Sequence, residues 1–565
     1  MADTDTSPSS AAAVATAAAG GVLMTLAASQ FLMTLDSSVM NVSMATVAKD
    51  VGTSITGIQT AITLYTLVMA TLMITGGKIG SIIGRRKAFS LGCVIYGCGS
   101  FTTGCAQNLP TLIFGWSLLE GMGAALIMPA IVALVASNFA PTERPKAYGL
   151  IAAAGAIAVA AGPLIGGAAT TYASWRYVFF GEVIVVVAIL GLARRIADAP
   201  VVAKPKLDLV GTLLSVIGLG AAVFGVLRSS EWGWVIPKPG GPDLWGISPT
   251  FWLIIFGSAV VWVFFRWENH LVGTGREPLV RPKMLANAQL AGGLIMFFFQ
   301  FLLQAGIFFV VPLFLSVALG LSAMATGLRI MPLSVALLAA AAGIPKVWPK
   351  ASPRKVARLG LLLMLLGILT LMAGIDVNAT AEVVTLPLLL IGLGIGSLSS
   401  QLGAVTVSAV PTKDSGEVGG LQNTATNLGA SLGTALAGSV LIALLTSTFL
   451  SGVASNPAVP TSLSDKAQVT LASGVPFVSD AQVQTAMDDA GADQATTDAV
   501  ISENEKARVQ AMDAALGVLA VLALASLFFT ARIPDQQPSG DEPEGEPEAG
   551  AGPDPLSLGT ADAST

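Results

Sequence analysis

Apolar and polar positions along this chain alternate in long blocks, not in the short periods of a soluble domain. A membrane span needs about 20 predominantly apolar residues. Fourteen segments qualify, near 20–44, 55–75, 87–106, 111–136, 147–171, 177–193, 209–227, 250–265, 287–316, 323–343, 358–375, 383–408, 419–447 and 511–531. Backbone in hydrocarbon must satisfy its own hydrogen bonds, so each block predicts a helix. The pattern predicts an all-α membrane protein with fourteen transmembrane helices.

Basic residues test that count, because Lys and Arg accumulate in cytoplasmic loops. With the N-terminus in the cytoplasm, twenty-one of the 29 fall on the cytoplasmic side, seven fall opposite, and Arg329 lies within a span. Composition agrees: 53% of the 565 residues are apolar and 11% charged, which excludes an ordinary soluble protein. Cys93, Cys98 and Cys105 share one segment and predict no disulfide framework. The start, MADTDT, has no basic region and the first apolar block carries Asp36, which argues against a cleaved signal peptide.

Outside the spans, residues 1–19 (Ala, Ser, Thr) and 532–565 (Pro, Gly, Asp, Glu) are expected to be disordered cytoplasmic ends. Residues 448–510 form the sizeable external loop, whose helix-forming portion either caps the outer mouth or acts as a solvated spacer.

A carboxylate at mid-membrane costs about 2.5–3.5 kcal/mol, so an acid in a span is a functional candidate by default. Asp36 lies midway along span one and Glu120 near the centre of span four. A helical stripe through Asp36 carries Ser29, Met33, Met40 and Ser43, polar and flexible enough to line a cavity. Glu182 begins span six and is expected to meet interfacial water. Arg329, near the outer start of span ten, either pairs with an acid or meets a ligand. The pairs Gln300/Gln304 and Asn423/Asn427 are spaced i,i+4, so each shares a face; Gln401 lies on span twelve. Cavity lining and interhelical hydrogen bonding both satisfy that pattern. Buried acids outnumber buried bases, which favours protons or cationic, lipophilic substrates over anionic ones. The lone histidine, His270, lies in a cytoplasmic loop and is expected to be solvated.

Several motifs occur in order. LDSSVMNVSMA (35–45) resembles the LDxTVVNVALP signature of the fourteen-helix drug:proton antiporters of the major facilitator superfamily, with Asp36 and Asn41 matching. GGKIGSIIGRRKAF (76–89) resembles the superfamily's loop between spans two and three, through Gly77, Gly84, Arg85, Arg86 and Lys87. LIFGWSLLEGMGAAL (112–126) resembles its fourth-span motif. The fifth-span antiporter motif maps to Gly149, Ala158, Gly162, Pro163, Gly166 and Gly167, with Ala158 replacing a glycine, and WRYVFFGEV (175–183) resembles the entry to span six.

The resemblance implies two six-helix bundles, 20–195 and 286–531, with two additional helices in 196–285. It implies spans one and four facing a central cavity, with Asp36 or Glu120 binding the driving proton. It also implies a gating role for the loop at 77–87. Three departures stand out: the family's loop Asp is Ser81, its fourth-span Arg is Ser117 and its Gln is Glu120, so the usual charge network cannot form unaltered.

The expectation is a secondary active exporter of small lipophilic compounds, drugs or antibiotics among them, in a bacterial plasma membrane with both termini cytoplasmic. Its partners are a small-molecule substrate, protons and the bilayer, without nucleic acid, metal or cofactor, and as a monomer. A dedicated metabolite or lipid transporter of the same fold is the alternative. No GxxxxGK[ST] phosphate loop occurs. A single loop histidine argues against an enzyme, and short termini against a sensor.

Overall fold

A computed structural model of the chain describes residues 8–53, 55–198, 206–238, 240–411, 414–471, 475 and 477–537. Among them thirteen helices are long and apolar enough to cross a membrane. The first bundle is α1 (Pro8–Asp50), α2 (Ile55–Ile83), α3 (Arg85–Gly104), α4 (Leu109–Asn138), α5 (Arg144–Tyr172) and α6 (Arg176–Ala193). Helices α7 (Leu209–Trp232) and α8 (Pro249–Gly273) follow as an additional pair. The second bundle is α9 (Ala288–Ala318), α10 (Ala323–Val347), α11 (Pro353–Gly374), α12 (Thr385–Val407), α13 (Ser415–Ser455) and, after short helices α14 (Thr461–Thr470) and α15 (Asp480–Asp489), α16 (Gln494–Phe529). Helix α3 is the fourteenth of spanning length. Its basic start and its Gly, Ser and Thr content make it less apolar than the rest.

Each bundle packs internally, α1 along α5, α3 between α4 and α6, α9 along α13, and α12 between α10 and α11. The halves meet where α5 touches α10 and α12, and where α13 touches α2 and α4. Helices α7 and α8 pack on one another, with α7 resting on both α2 and α13.

The closest approaches between halves cluster at the end carrying the basic loops. A Cβ on Gly77 would collide with the Gly416 carbonyl, and one on Gly149 would sit 2.6 Å from the Ala341 carbonyl. Beside the first crossing, Lys78 (2% exposed) donates to Glu417 (4%) at 2.8 Å, so this lysine is buried rather than solvated in a loop. Glu277 is 3.6 Å from both Lys78 and Arg281, and Arg281 pairs with Asp414 at 3.1 Å. Burial opposes the Arg281 charge, but Asp414, Glu417 and Glu277 outweigh it and raise its pKa.

The motif loop, expected to gate, has Gly77 at the crossing between the halves. Gly84, at φ 100°, turns the chain into α3, whose first amides, Arg85 N–H and Arg86 N–H, donate to Asp198 at 3.1 and 3.2 Å. The Arg86 guanidinium donates to the Arg194 and Ile196 carbonyls, and Lys87 is exposed. Ser81 turns back to the Lys78 carbonyl at 2.7 Å. Lys78 and Glu417 make a charge contact across the halves.

Two segments expected to be disordered are partly ordered. Alanine, the strongest helix former, carries α1 back to Pro8. Past α16, Arg354 pairs with Asp535 at 2.6 Å and Gln537 donates to Gln401 at 3.0 Å, which ties residues 532–537 to α11 and α12. Residues 1–7 and 538–565 lie outside the described residues. In 448–510, Val459, Val483, Met487 and Val500 continue the core cluster, and Arg508 donates to Asp480 at 2.6 Å, so the described part of the loop packs on the second bundle.

Removing one partner of a buried ion pair costs about 3–5 kcal/mol, whereas an apolar pair is close to neutral. Lys78→Met is therefore expected to lower the unfolding midpoint in detergent sharply. Lys78→Met with Glu417→Leu should recover most of the loss, and additive losses would contradict the pairing.

Candidate functional site: a carboxyl cluster beside a central cavity

Helix α4 contains a π-helical stretch, Ile113–Glu120, of a kind that re-aims side chains and recurs at functional sites. Trp116, Ser117 and Glu120 are all buried there. Ser117, where the superfamily motif has Arg, donates to the Ala61 carbonyl at 2.8 Å and so holds α4 to α2. The Trp116 indole N–H donates to both Asp36 oxygens, at 2.8 and 2.9 Å. Glu120 accepts from the Thr103 hydroxyl at 3.0 Å. It presses against Gly99, where a Cβ would stand 2.6 Å from its Cγ.

Glu182 completes the cluster and corrects the expectation that it meets interfacial water. It is 2% exposed and accepts from the Ser100 hydroxyl at 3.1 Å. Carboxyl oxygens of Asp36, Glu120 and Glu182 all lie within 4.8 Å of one another. The interface is marked instead by Arg176, which pairs with Asp50 at 3.1 Å. Six residues further on, Glu182 sits about 9 Å deeper at 1.5 Å per residue. That spacing was readable in the sequence; the partners on α1 and α4 were not.

No salt bridge reaches this cluster among the described residues, and one oxygen each of Glu120 and Glu182 lacks a hydrogen-bond partner. Three like charges so close in low dielectric cannot all be ionised at once. The spacing resembles that of cation ligands, and N–H and O–H donors also point at all three carboxyls.

Beside the cluster, a cavity of about 400 Å³ lies between the bundles. Met33, Gln300, Gln304, Asn423 and Asn427 stand on its wall, joined by Gln30, Gln422, Tyr65, Tyr148, Phe297 and Phe301. No charged side chain lines it among the described residues. Three expected cavity residues lie elsewhere. Met40 is fully buried among Ile58, Tyr65 and Trp116. Gln401 faces Ser400 and Gln537 near the basic end. Arg329, early on α10, is off the cavity and makes no ion pair among the described residues. The side chains of Asn41 and Pro163 lie outside the described residues.

The fifth-span motif divides its faces. Ala158 is fully buried against Leu35 and Val39, and Gly162 and Gly166 abut Ser38 and Val39 of α1; Gly167 is half-buried. Gly155, Ala156 and Val159 line the cavity, and Ser334 of α10 donates to the Ala156 carbonyl at 3.0 Å. Tyr65 joins cavity and cluster: it lines the cavity and stacks on Trp116 at 5.0 Å with the rings 1° from parallel.

Two helical bundles with a cavity between them are the architecture of a multi-pass membrane transporter. Residues 26–434 match the model of the Major Facilitator Superfamily, and the chain belongs to that family. It is 29% identical to the puromycin resistance protein pur8 of Streptomyces alboniger, over 74% of this chain and 81% of that protein. It is 28% identical to a probable actinorhodin transporter of Streptomyces coelicolor, over 73% and 70%. To the multidrug resistance protein Stp of Mycobacterium tuberculosis it is 24% identical, over 74% and 75%. Among solved structures, the human organic anion transporter MFSD10 superposes with a TM-score of 0.53 at 13% identity, covering 92% of this chain and 98% of that one. The proton:xylose symporter XylE gives 0.51 at 14%, covering 74% and 88%. At these identities the solved structures speak to the fold alone.

Losing a hydrogen bond to a charged group costs about 1.5–3 kcal/mol. Trp116→Phe keeps the ring on Tyr65 but removes the donor to Asp36, and is expected to lower stability by about that amount in thermal unfolding. Wild-type stability in Trp116→Phe would show that the indole N–H carries no weight.

Proposed function

We propose that the protein is a proton-coupled exporter of small lipophilic, antibiotic-like compounds. The observation that carries this reading is the carboxyl cluster, buried without a neutralising base among the described residues and set beside a cavity between two bundles. Acids held in hydrocarbon at such cost are expected to work as proton carriers. Resistance and antibiotic transport in the names of similar proteins support the direction and substrate class.

In this reading Asp36, Glu120 and Glu182 take protons from the outer side and release them inward. Residues 20–195 and 286–531 form the two rocking halves around the midplane cavity, with 196–285 as an additional pair. The basic end faces the cytoplasm, both termini included, and the membrane is a bacterial plasma membrane. Contacts at Gly77/Gly416 and Lys78/Glu417 hold the cytoplasmic side shut in the conformation described, the stage at which cargo leaves outward. The transporter works as a monomer, without enzymatic chemistry.

Purified protein in vesicles with an imposed pH gradient tests this reading. A fluorescent lipophilic dye should move against the proton flow. Asp36→Asn, Glu120→Gln and Glu182→Gln should each cut gradient-driven transport by about tenfold or more, equivalent to about 1.4 kcal/mol or more. Undiminished movement after collapse of the gradient, or full activity in all three variants, would refute it.

A further inference from the structure

The acids and the cavity are neighbours, yet they do not share a surface. Asp36 is absent from the cavity wall although Met33, Thr34 and Ser37 of the same helix stand on it. Its carboxyl accepts from the Trp116 indole, on which Tyr65 of the cavity wall stacks. Glu120 and Glu182 lie further behind, against Thr103 and Ser100.

What the cavity offers instead is carboxamide. The Gln300 Nε2–H donates to Ser399 at 2.9 Å, and the Gln300 carbonyl oxygen is buried with no partner. Gln304, one turn along, makes no hydrogen bond among the described residues, so its amide is free for a ligand. Asn427 spends its N–H donors on Asn423 O and Met73 Sδ, which leaves its carbonyl oxygen as an acceptor. Phe297 and Phe301 supply apolar faces beside them.

From this geometry we infer the substrate class: neutral, flat, apolar molecules bearing hydroxyl or amide donors, and not permanent cations. The inference rests on the export reading above and narrows it. An unmet buried acceptor rewards a ligand that brings an O–H or N–H and penalises one that does not. A permanent cation would lose its hydration in a cavity whose described wall has no carboxylate. Aromatic faces return less than that desolvation takes. The expectation of protons or cationic cargo rested on buried acids outnumbering buried bases, and those acids lie together off the cavity wall.

Binding of tritiated hydroxymethylanthraquinone and of its trimethylammoniomethyl counterpart, measured by scintillation proximity on the purified full-length protein, tests the inference. The neutral probe should bind about tenfold tighter, the factor of one satisfied hydrogen bond. Gln300→Leu should erase that margin. Gln300→Glu, which places a carboxylate on the wall, should turn the preference toward the cation and guards against a misfolded leucine variant. Equal or tighter binding of the cation by the unmodified protein, no saturable binding of either probe, or a preference untouched by both variants would overturn it. Loss of gradient-driven transport with these binding ratios intact would sink the coupling reading and leave the substrate class standing.

Discussion

Three buried carboxyl groups share one cluster with no neutralising base among the described residues, and much of the first bundle is arranged around that constraint. Asp36 arrives on α1, Glu120 on α4 and Glu182 on α6, while α3 supplies Ser100 and Thr103 as donors. The small residue Gly99 is what lets Glu120 approach α3 at all. A π-helical stretch in α4 costs regular hydrogen bonding and yields a surface on which Trp116 and Glu120 both point inward. The absent superfamily Arg is consistent with this arrangement: Ser117 in its place makes a neutral bond to Ala61, so the acids have only each other and neutral donors to share protons with.

The acids stand apart from the cavity, and two rings link them to it: Trp116 bonds Asp36 on one edge and stacks on Tyr65, a residue of the cavity wall, on its face. On the far side of the cavity, α5 carries Gly155 and Ala156 on the wall and Gly149 at the closed crossing with α10. One helix thus touches both the cavity and a crossing between the halves. At the basic end, Lys78 and Glu417 form an ion pair across the halves one turn from Ser81, which stands where the resembled loop motif has an acid.

Much of this was legible in the sequence because membrane burial imposes strict rules. Block length sets the helices, and i,i+4 spacing put Gln300 with Gln304 and Asn423 with Asn427 on single faces that reach the cavity. What stayed hidden depends on three-dimensional partners. Glu182 was placed at the interface because its span begins nearby, yet two turns of helix carry it to Asp36. Lys78 was counted with loop charges because α2 runs further than its apolar block. Met40 followed the Asp36 stripe, but it packs against Tyr65 and Trp116, while Met33 of the same stripe reaches the cavity.

The most direct test of the central claim is infrared spectroscopy of the purified protein in the carbonyl-stretch region of protonated carboxylic acids. The account predicts a protonated-carboxyl band at neutral pH that weakens in Glu120→Gln and in Glu182→Gln. A spectrum showing all three groups ionised at neutral pH, or a band indifferent to both substitutions, would contradict it.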